Sequence, residues 1–271
     1  MNRMLALCAA LLFAGQSGAQ ATSLVTGQQT PNNPATAAPS CDVQQMQKMQ
    51  SQLADWAGLD RYRADNASLP PPANSEQRVI FFGDSITDGW GRWGGRGPFF
   101  PGKPYVNRGI SGQTTPQMLV RFEQDVVHLH PAAVVILAGT NDIAGNTGPS
   151  TPEMVEDNFS AMNAIAKQNG IKVVLASITP AFAYPWKPGV HPVEEIRALN
   201  QWLRDFCASN GCVYLDYYDS MADANGAMLP GYSFDGVHPT AKGYAVMAPL
   251  AERAIAQALG TEITQSGDSM R

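Results

Sequence analysis

Between residues 78 and 215 the sequence holds five short apolar runs, at 78–82, 105–107, 133–137, 172–178 and 213–215, with helical patterns between them. Runs this short, rich in Val, Ile, Leu and Phe, suit strands covered on both faces, and their alternation with helices implies a parallel sheet. The expected architecture is α/β: a three-layer α/β/α sandwich around a central parallel sheet of about five strands. Thr115-Pro116, Thr151-Pro152 and His191-Pro192 put proline at or near the first helical position, where its missing N–H is not needed. The pattern after Thr151 carries Val155, Phe159, Met162 and Ile165 on one face and stops at Asn169-Gly170. The next carries Val193, Ile196, Leu199, Leu203 and Phe206 and stops at Asn210-Gly211; both endings suit a left-handed terminal residue. A last helix is expected from Pro239 to near Leu259, kinked or divided at Pro249.

The flanks read differently. Arg3, the apolar run 4–13 and Ser17-Gly18-Ala19 match a signal peptide over residues 1–19, so the chain is expected to be exported, to a periplasm or the extracellular space. An apolar run of about 10 residues is too short to span ~30 Å of hydrocarbon, so no stable membrane insertion is expected after cleavage. Residues 20–40 are rich in Thr, Gln, Asn, Pro and Ala and read as a flexible leader. In residues 41–77, a helical extension, Val43, Met46, Met49, Leu53 and Trp56 recur at helical spacing, and their stripe is expected to contact the outside of the domain. Residues 78–259 form the main domain, and 260–271 a flexible tail.

At 271 residues, 44% hydrophobic and 15% charged, the chain fits one globular domain with flanking segments. A net charge of -5, with no Lys/Arg cluster to follow a phosphate backbone, argues against nucleic acid or an anionic membrane as partner. Export would place Cys41, Cys207 and Cys212 in a disulfide-permissive compartment once Cys8 leaves with the signal. Cys207 and Cys212 flank a short turn and make the first choice for a bridge; three free thiols are the alternative. His128 and His130 stand before Pro131 without further ligands at metal-binding spacing, so no metal is expected.

Functional groups on an open parallel sheet gather at the carboxyl ends of its strands. After the first run comes Gly83-Asp84-Ser85, after the second Asn107-Arg108-Gly109-Ile110-Ser111-Gly112, and after the third Gly139-Thr140-Asn141-Asp142. Asp235-Gly236-Val237-His238-Pro239 follows near the C-terminus. Alone, Ser85 suits a helix N-cap, Gly109 a turn and His238 a surface cap. In this order the four segments resemble the SGNH/GDSL hydrolase (esterase/lipase) superfamily, over the whole of residues 78–259. The resemblance implies a flavodoxin-like SGNH hydrolase fold and a serine esterase that needs no cofactor. It assigns Ser85 as nucleophile, His238 as general base and Asp235 as the carboxylate that orients it. The N–H groups of Ser85 and Gly109 and the amide of Asn141 would form the oxyanion hole. Asp84 and Asp142 read as structural. The spelling from Gly83 to Gly89 is similar to the platelet-activating-factor acetylhydrolase and acetyl-esterase branch, with Ile86 where the name GDSL has Leu.

Substrate choice is expected in two aromatic loops, 90–100 and 179–192. Trp90, Arg92, Trp93, Tyr184 and Trp186 are the candidate substrate-binding residues, suited to a sugar or an aromatic alcohol; Arg92 or Arg96 would meet an acidic substituent. The same rings would equally serve to pack the loops. With no broad apolar lid in view, short acyl groups such as acetyl are expected. Acyl transfer by the same triad, or a silent carbohydrate-binding protein on the same fold, are the alternatives.

Overall fold

The computed structural model describes residues 42–261. The expected signal peptide and leader, Cys8, Cys41 and residues 262–271 lie outside them. In chain order the elements are α1 (Val43–Ala54), α2 (Arg63–Ser68), β1 (Val79–Gly83), α3 (Ser85–Gly89), β2 (Tyr105–Gly109), α4 (Thr115–Asp125) and β3 (Ala133–Leu137). Then follow α5 (Thr140–Ile143), α6 (Pro152–Gln168), β4 (Lys172–Ala176), α7 (Val193–Asn210), β5 (Val213–Leu215), α8 (Tyr218–Met221) and α9 (Ala241–Leu259).

The five strands form one parallel sheet in the order β2-β1-β3-β4-β5. Alternate residues of each strand feed two separate cores, as the two-residue period of a strand requires. Ile80, Phe82, Val134, Ile136, Val173 and Leu175 pack against Met118 and Phe122 of α4, Phe159 of α6 and Leu199 of α7. Val79, Phe81, Val135, Leu137 and Val174 pack against Ile86, Met221 and, from α9, Tyr244, Met247 and Ala251. Helices on both faces explain why the strands carry no polar stripe.

The helix-start signals act as chemistry predicts. Thr114 and Gln117 form a capping box ahead of Pro116, and Thr151 caps α6 with Pro152 as its first residue. Helix α7 ends on Gly211 in the left-handed region, at φ 68°, and a Cys207–Cys212 disulfide with Cα atoms 4.5 Å apart closes the same turn. Of the two outcomes expected at Pro249, division is excluded, because it lies inside α9. Another expectation changes. The apolar stripe of α1 is not buried: Met49 is 55% and Leu53 74% exposed.

What holds the following segment, residues 55–66, is polar. Gln113 and Gln124 donate to the carbonyls of Ala57 and Leu59, Asn66 donates to Asp125, and the buried Tyr62 hydroxyl donates to the Gly109 carbonyl. All of these partners lie around Arg121 of α4, whose guanidinium is fully buried. It donates to Gly83 O (3.0 Å), Arg108 O (2.9 Å), Gln113 Oε1 and Asp125 Oδ2 (3.1 Å), and covers the Phe82 ring. Burial lowers its pKa to about 10, against the opposing pull of Asp125, so it stays charged at neutral pH.

Removing one partner of a buried ion pair leaves the other unpaired, which costs about 3–5 kcal/mol. Arg121→Met is therefore expected to lose that much unfolding free energy in a urea titration. The double variant Arg121→Met/Asp125→Leu is expected to lose less.

Candidate active site

Strand order reverses direction at β1, between β2 on one side and β3 on the other, and a crevice forms at such a switch point beyond the strand ends. Register aligns Gly83 with Gly109 and with Leu137, so the residues that follow the three strands converge there. Asp84, not Ser85, caps α3: its carboxylate accepts the Ile86 N–H at 2.9 Å. Ser85 is thus the first helical residue, its side chain free for another partner, and it is 8% exposed.

That partner comes from 153 residues away. Ser85 Oγ lies 2.9 Å from His238 Nε2, and His238 Nδ1 lies 2.7 Å from Asp235 Oδ2. The other oxygen of Asp235 accepts the backbone N–H of His238 (2.8 Å) and of Val237 (3.0 Å). Partial burial would raise the Asp235 pKa, but the hydrogen bonds from His238 and Val237 outweigh it and hold the carboxyl below its ordinary value. Two indoles flank the imidazole, the rings of Trp93 and Trp186 each centred 6.0 Å from it.

Asn141, in the first turn of α5, points its amide at the loop after β2. Its Nδ2 donates to Gln113 O at 3.0 Å and has a longer, 3.4 Å contact with Asp84 Oδ2. The loop itself turns at Gly112, φ 80°, where Gln113 N–H bonds Ile110 O. The Gly112 N–H makes no hydrogen bond among the described residues. Ser111, Gly112 and Asn146 border an open cleft of about 550 Å³, whose far wall is Met49, Leu53 and Trp56.

Residues 81–246 match the GDSL-like lipase/acylhydrolase family. The chain belongs to that family. It is accordingly a carboxylic ester hydrolase. Similar solved structures include a protein inferred to be an acylhydrolase from Bacteroides fragilis, 45% identical, with TM-score 0.72 over 75% of this chain and 98% of that one. A GDSL-like lipase from Bacteroides thetaiotaomicron is 42% identical, with TM-score 0.72 over 75% of this chain and 99% of that one. An acetylxylan esterase from Geobacillus stearothermophilus is 25% identical over 71% of this chain and 98% of the enzyme.

Several residues of this GDSL hydrolase stand elsewhere than the sequence suggests. The Gly109 N–H is already bonded to Asn107 Oδ1 at 2.9 Å, so it is not free for a substrate oxygen. Gly109 is needed for another reason: a Cβ there would come within 2.1 Å of the Asp88 backbone nitrogen, where α3 crosses the end of β2. Trp90 is 2% exposed and stacks on Tyr244, its indole N–H donating to Pro98 O. The Arg92 guanidinium is committed to Asp88, the Tyr62 hydroxyl and Asn107 O. Arg96 lies over the rings of Trp93 and Phe234 and donates to Pro239 O, which ties the Trp93 loop to the His238 segment. Tyr184 is buried and stacks behind Trp186, which is 38% exposed. Sequence reasoning passed over Asn146, which touches both Asn141 and Trp186; its Gly-Asn setting reads as an ordinary turn.

Asp84 and Asp142, the aspartates read as structural, both bind backbone. Asp142 accepts from the N–H and hydroxyl of Thr115, and burial raises its pKa in spite of them. Asp84 is pushed up to about 7, by burial first, opposed by the Ile86 N–H and reinforced by Asp142. Native Asp84 therefore keeps a proton that the unfolded chain releases near the ordinary value of 3.8. Between those two values the native state binds more protons, so the Asp84 contribution lowers stability as pH rises from 3.8 to about 7 and is level beyond. Urea unfolding of wild type and Asp84→Asn across pH 4–8 is expected to show a difference that grows over that window, the variant losing less.

Proposed function

We propose that the protein hydrolyses short-chain, most simply acetyl, esters of a sugar or a small or aromatic alcohol through a Ser85–His238–Asp235 acyl-enzyme mechanism. The observation that carries this reading is the unbroken hydrogen-bonded line from Ser85 Oγ through both ring nitrogens of His238 to Asp235. Ser85 Oγ attacks the ester carbonyl carbon while His238 Nε2 takes its proton, and Asp235 stabilises the imidazolium that results. The oxygen then carrying negative charge is met by the Ser85 N–H, the Asn141 amide and the Gly112 N–H, which takes the role expected of Gly109. When the tetrahedral adduct collapses, His238 returns the proton to the leaving alcohol. Water, deprotonated by His238, then attacks the acyl-Ser85 ester, releases the acid and restores the hydroxyl.

The leaving alcohol must sit on the His238 side, where Trp93 and Trp186 stand. Flat apolar faces with polar edges suit a sugar ring or an aryl group. The similarity to an acetylxylan esterase supports an acetylated carbohydrate in particular. Export is part of the same reading: the pattern of residues 1–19 is supported by the Cys207–Cys212 disulfide, since such bridges persist in oxidising compartments. N-terminal sequencing of the protein from its native host is expected to begin near Gln20.

With p-nitrophenyl acetate, Ser85→Ala is expected to lose all turnover above background, and wild-type rates in that variant would overturn the assignment. Asp235→Asn is expected to fold normally and lose turnover by about 10⁴, because the wrong imidazole tautomer is favoured. Activity is expected to fall on the acid side, where protonated His238 cannot accept the Ser85 proton. A series of p-nitrophenyl esters from acetyl to octanoyl is expected to peak at acetyl.

A further inference from the structure

We propose that Asn146 is a positioning residue that sets the polarity of the oxyanion-binding amide and couples it to the aromatic wall of Trp186. This rests on the oxyanion role proposed for Asn141. A terminal amide is nearly symmetric in shape but opposite in chemistry at its two ends: turned one way Asn141 presents N–H to a developing oxyanion, turned the other way a repelling oxygen. Something must hold it the right way round.

Asn146 does so through four contacts. Its backbone N–H donates to Asn141 O at 3.0 Å, which fixes the two residues relative to each other across the end of α5. Its Nδ2 donates to Asn141 Oδ1 at 2.7 Å and, more weakly, to Gly112 O at 3.4 Å. Its Oδ1 accepts the indole N–H of Trp186 at 3.1 Å. Direction along this chain is not reversible. An indole nitrogen only donates, so Asn146 must turn its oxygen to Trp186 and its NH2 to Asn141. Asn141 must then turn its own oxygen to Asn146 and its NH2 toward Gln113 O and, at longer range, Asp84 Oδ2 beside Ser85. The polarity of the oxyanion amide is thus held from both ends, by the Gln113 carbonyl at its NH2 and, through Asn146, by Trp186 at its oxygen, and that tryptophan also faces His238.

Asn146 is exposed in the free protein, and Trp186 partly so. A leaving group lying on Trp186 covers their hydrogen bond, excludes competing water and strengthens it as charge develops on the carbonyl oxygen. Binding on the wall is in this way expressed in kcat as well as in KM.

The test compares Asn146→Ala, Asn146→Asp and Trp186→Phe in the full-length protein with p-nitrophenyl acetate, alongside Ser85→Ala. Asn146→Asp keeps the acceptor for Trp186 but sets a carboxylate against Asn141 Oδ1, so the amide is driven to turn over. It is expected to lower kcat by about 10²-fold, the effect of one oxyanion donor, with KM little changed; Asn146→Ala, which frees the amide without turning it, should lose less. Trp186→Phe keeps a ring beside His238 and removes only the N–H, and is expected to lower kcat by a smaller factor. A boronic acid that forms a tetrahedral adduct on Ser85 is expected to bind each variant more weakly in the order in which kcat falls. A role in folding alone would instead lower the melting temperature and leave kcat and boronate affinity of the folded fraction intact. Wild-type kcat in Asn146→Asp, or equal boronate affinity across the series, overturns the proposal. If the Asn146 variants do not fold, wild-type kcat and boronate affinity in Trp186→Phe overturn it. Ser85→Ala separates the two levels: full activity there sinks the site assignment itself, whereas an inactive Ser85→Ala beside a fully active Asn146→Asp sinks only the role of Asn146.

Discussion

The buried guanidinium of Arg121 is the constraint on which the rest of the active end depends. Strands β1 and β2 end where the chain must leave the sheet; there Gly83 O accepts the Ile110 N–H and Gly109 O the Tyr62 hydroxyl, and Arg121 adds further donors to the same rim. Arg121 satisfies Gly83 O and Arg108 O together, and Gln113 as well, from beneath the loops. Water could do the same for an exposed rim, but not for one covered by residues 55–66. A charged donor with five N–H groups is suited to bridging several acceptors at fixed angles, which a lysine would not do. Asp125 balances its charge and passes the network to Asn66, which in turn accepts from Arg108. The floor of the site is therefore held by polar groups, although both cores beside the sheet are apolar.

On that floor, function follows from strand order. The three loops that carry Ser85, Gly112 and Asn141 belong to adjacent parallel strands, so they are brought together by register alone. His238 and Asp235 arrive on the segment before α9, whose Tyr244 anchors it by donating from its hydroxyl to Ile86 O at 2.6 Å. Their mutual geometry is nearly local: Asp235 closes a turn by accepting two backbone N–H groups and holds the imidazole with its second oxygen. The pairing of Ser85 with His238 is the long-range event, and α9 packed against β3 and β4 enables it.

Electrostatics is arranged with the same economy. Asp84 adjoins Ser85, Asp142 lies close enough to Asp84 to help raise its pKa, and Asp235 faces His238. Burial raises Asp84 and Asp142, which use their oxygens on the backbone of α3 and α4, while Asp235 alone is held below its ordinary value, at the far side of the imidazole.

The sequence by itself determined the sheet, because short apolar runs bounded by glycine and proline have few other ways to satisfy their backbone. It also determined the two local units, Gly83-Asp84-Ser85 and Asp235 with His238, because each is built from residues within a turn of one another. Tertiary structure decided what depends on neighbours from elsewhere. Gly109 looks like a free turn donor until Asn107 folds back onto it; Trp90 and Arg92 look like substrate contacts until Tyr244 and Asp88 claim them. The Met and Leu stripe of α1 looks like core, yet it stays exposed and lines the cleft beside Gly112. Arg121 could have been suspected, since an Arg/Asp pair at i,i+4 interrupts the apolar face of Met118 and Phe122. The acceptors that make it necessary come from two strands and a loop, and only packing brings them to one point. Periodicity reports which face of an element is buried; it does not report which atoms wait on the other side.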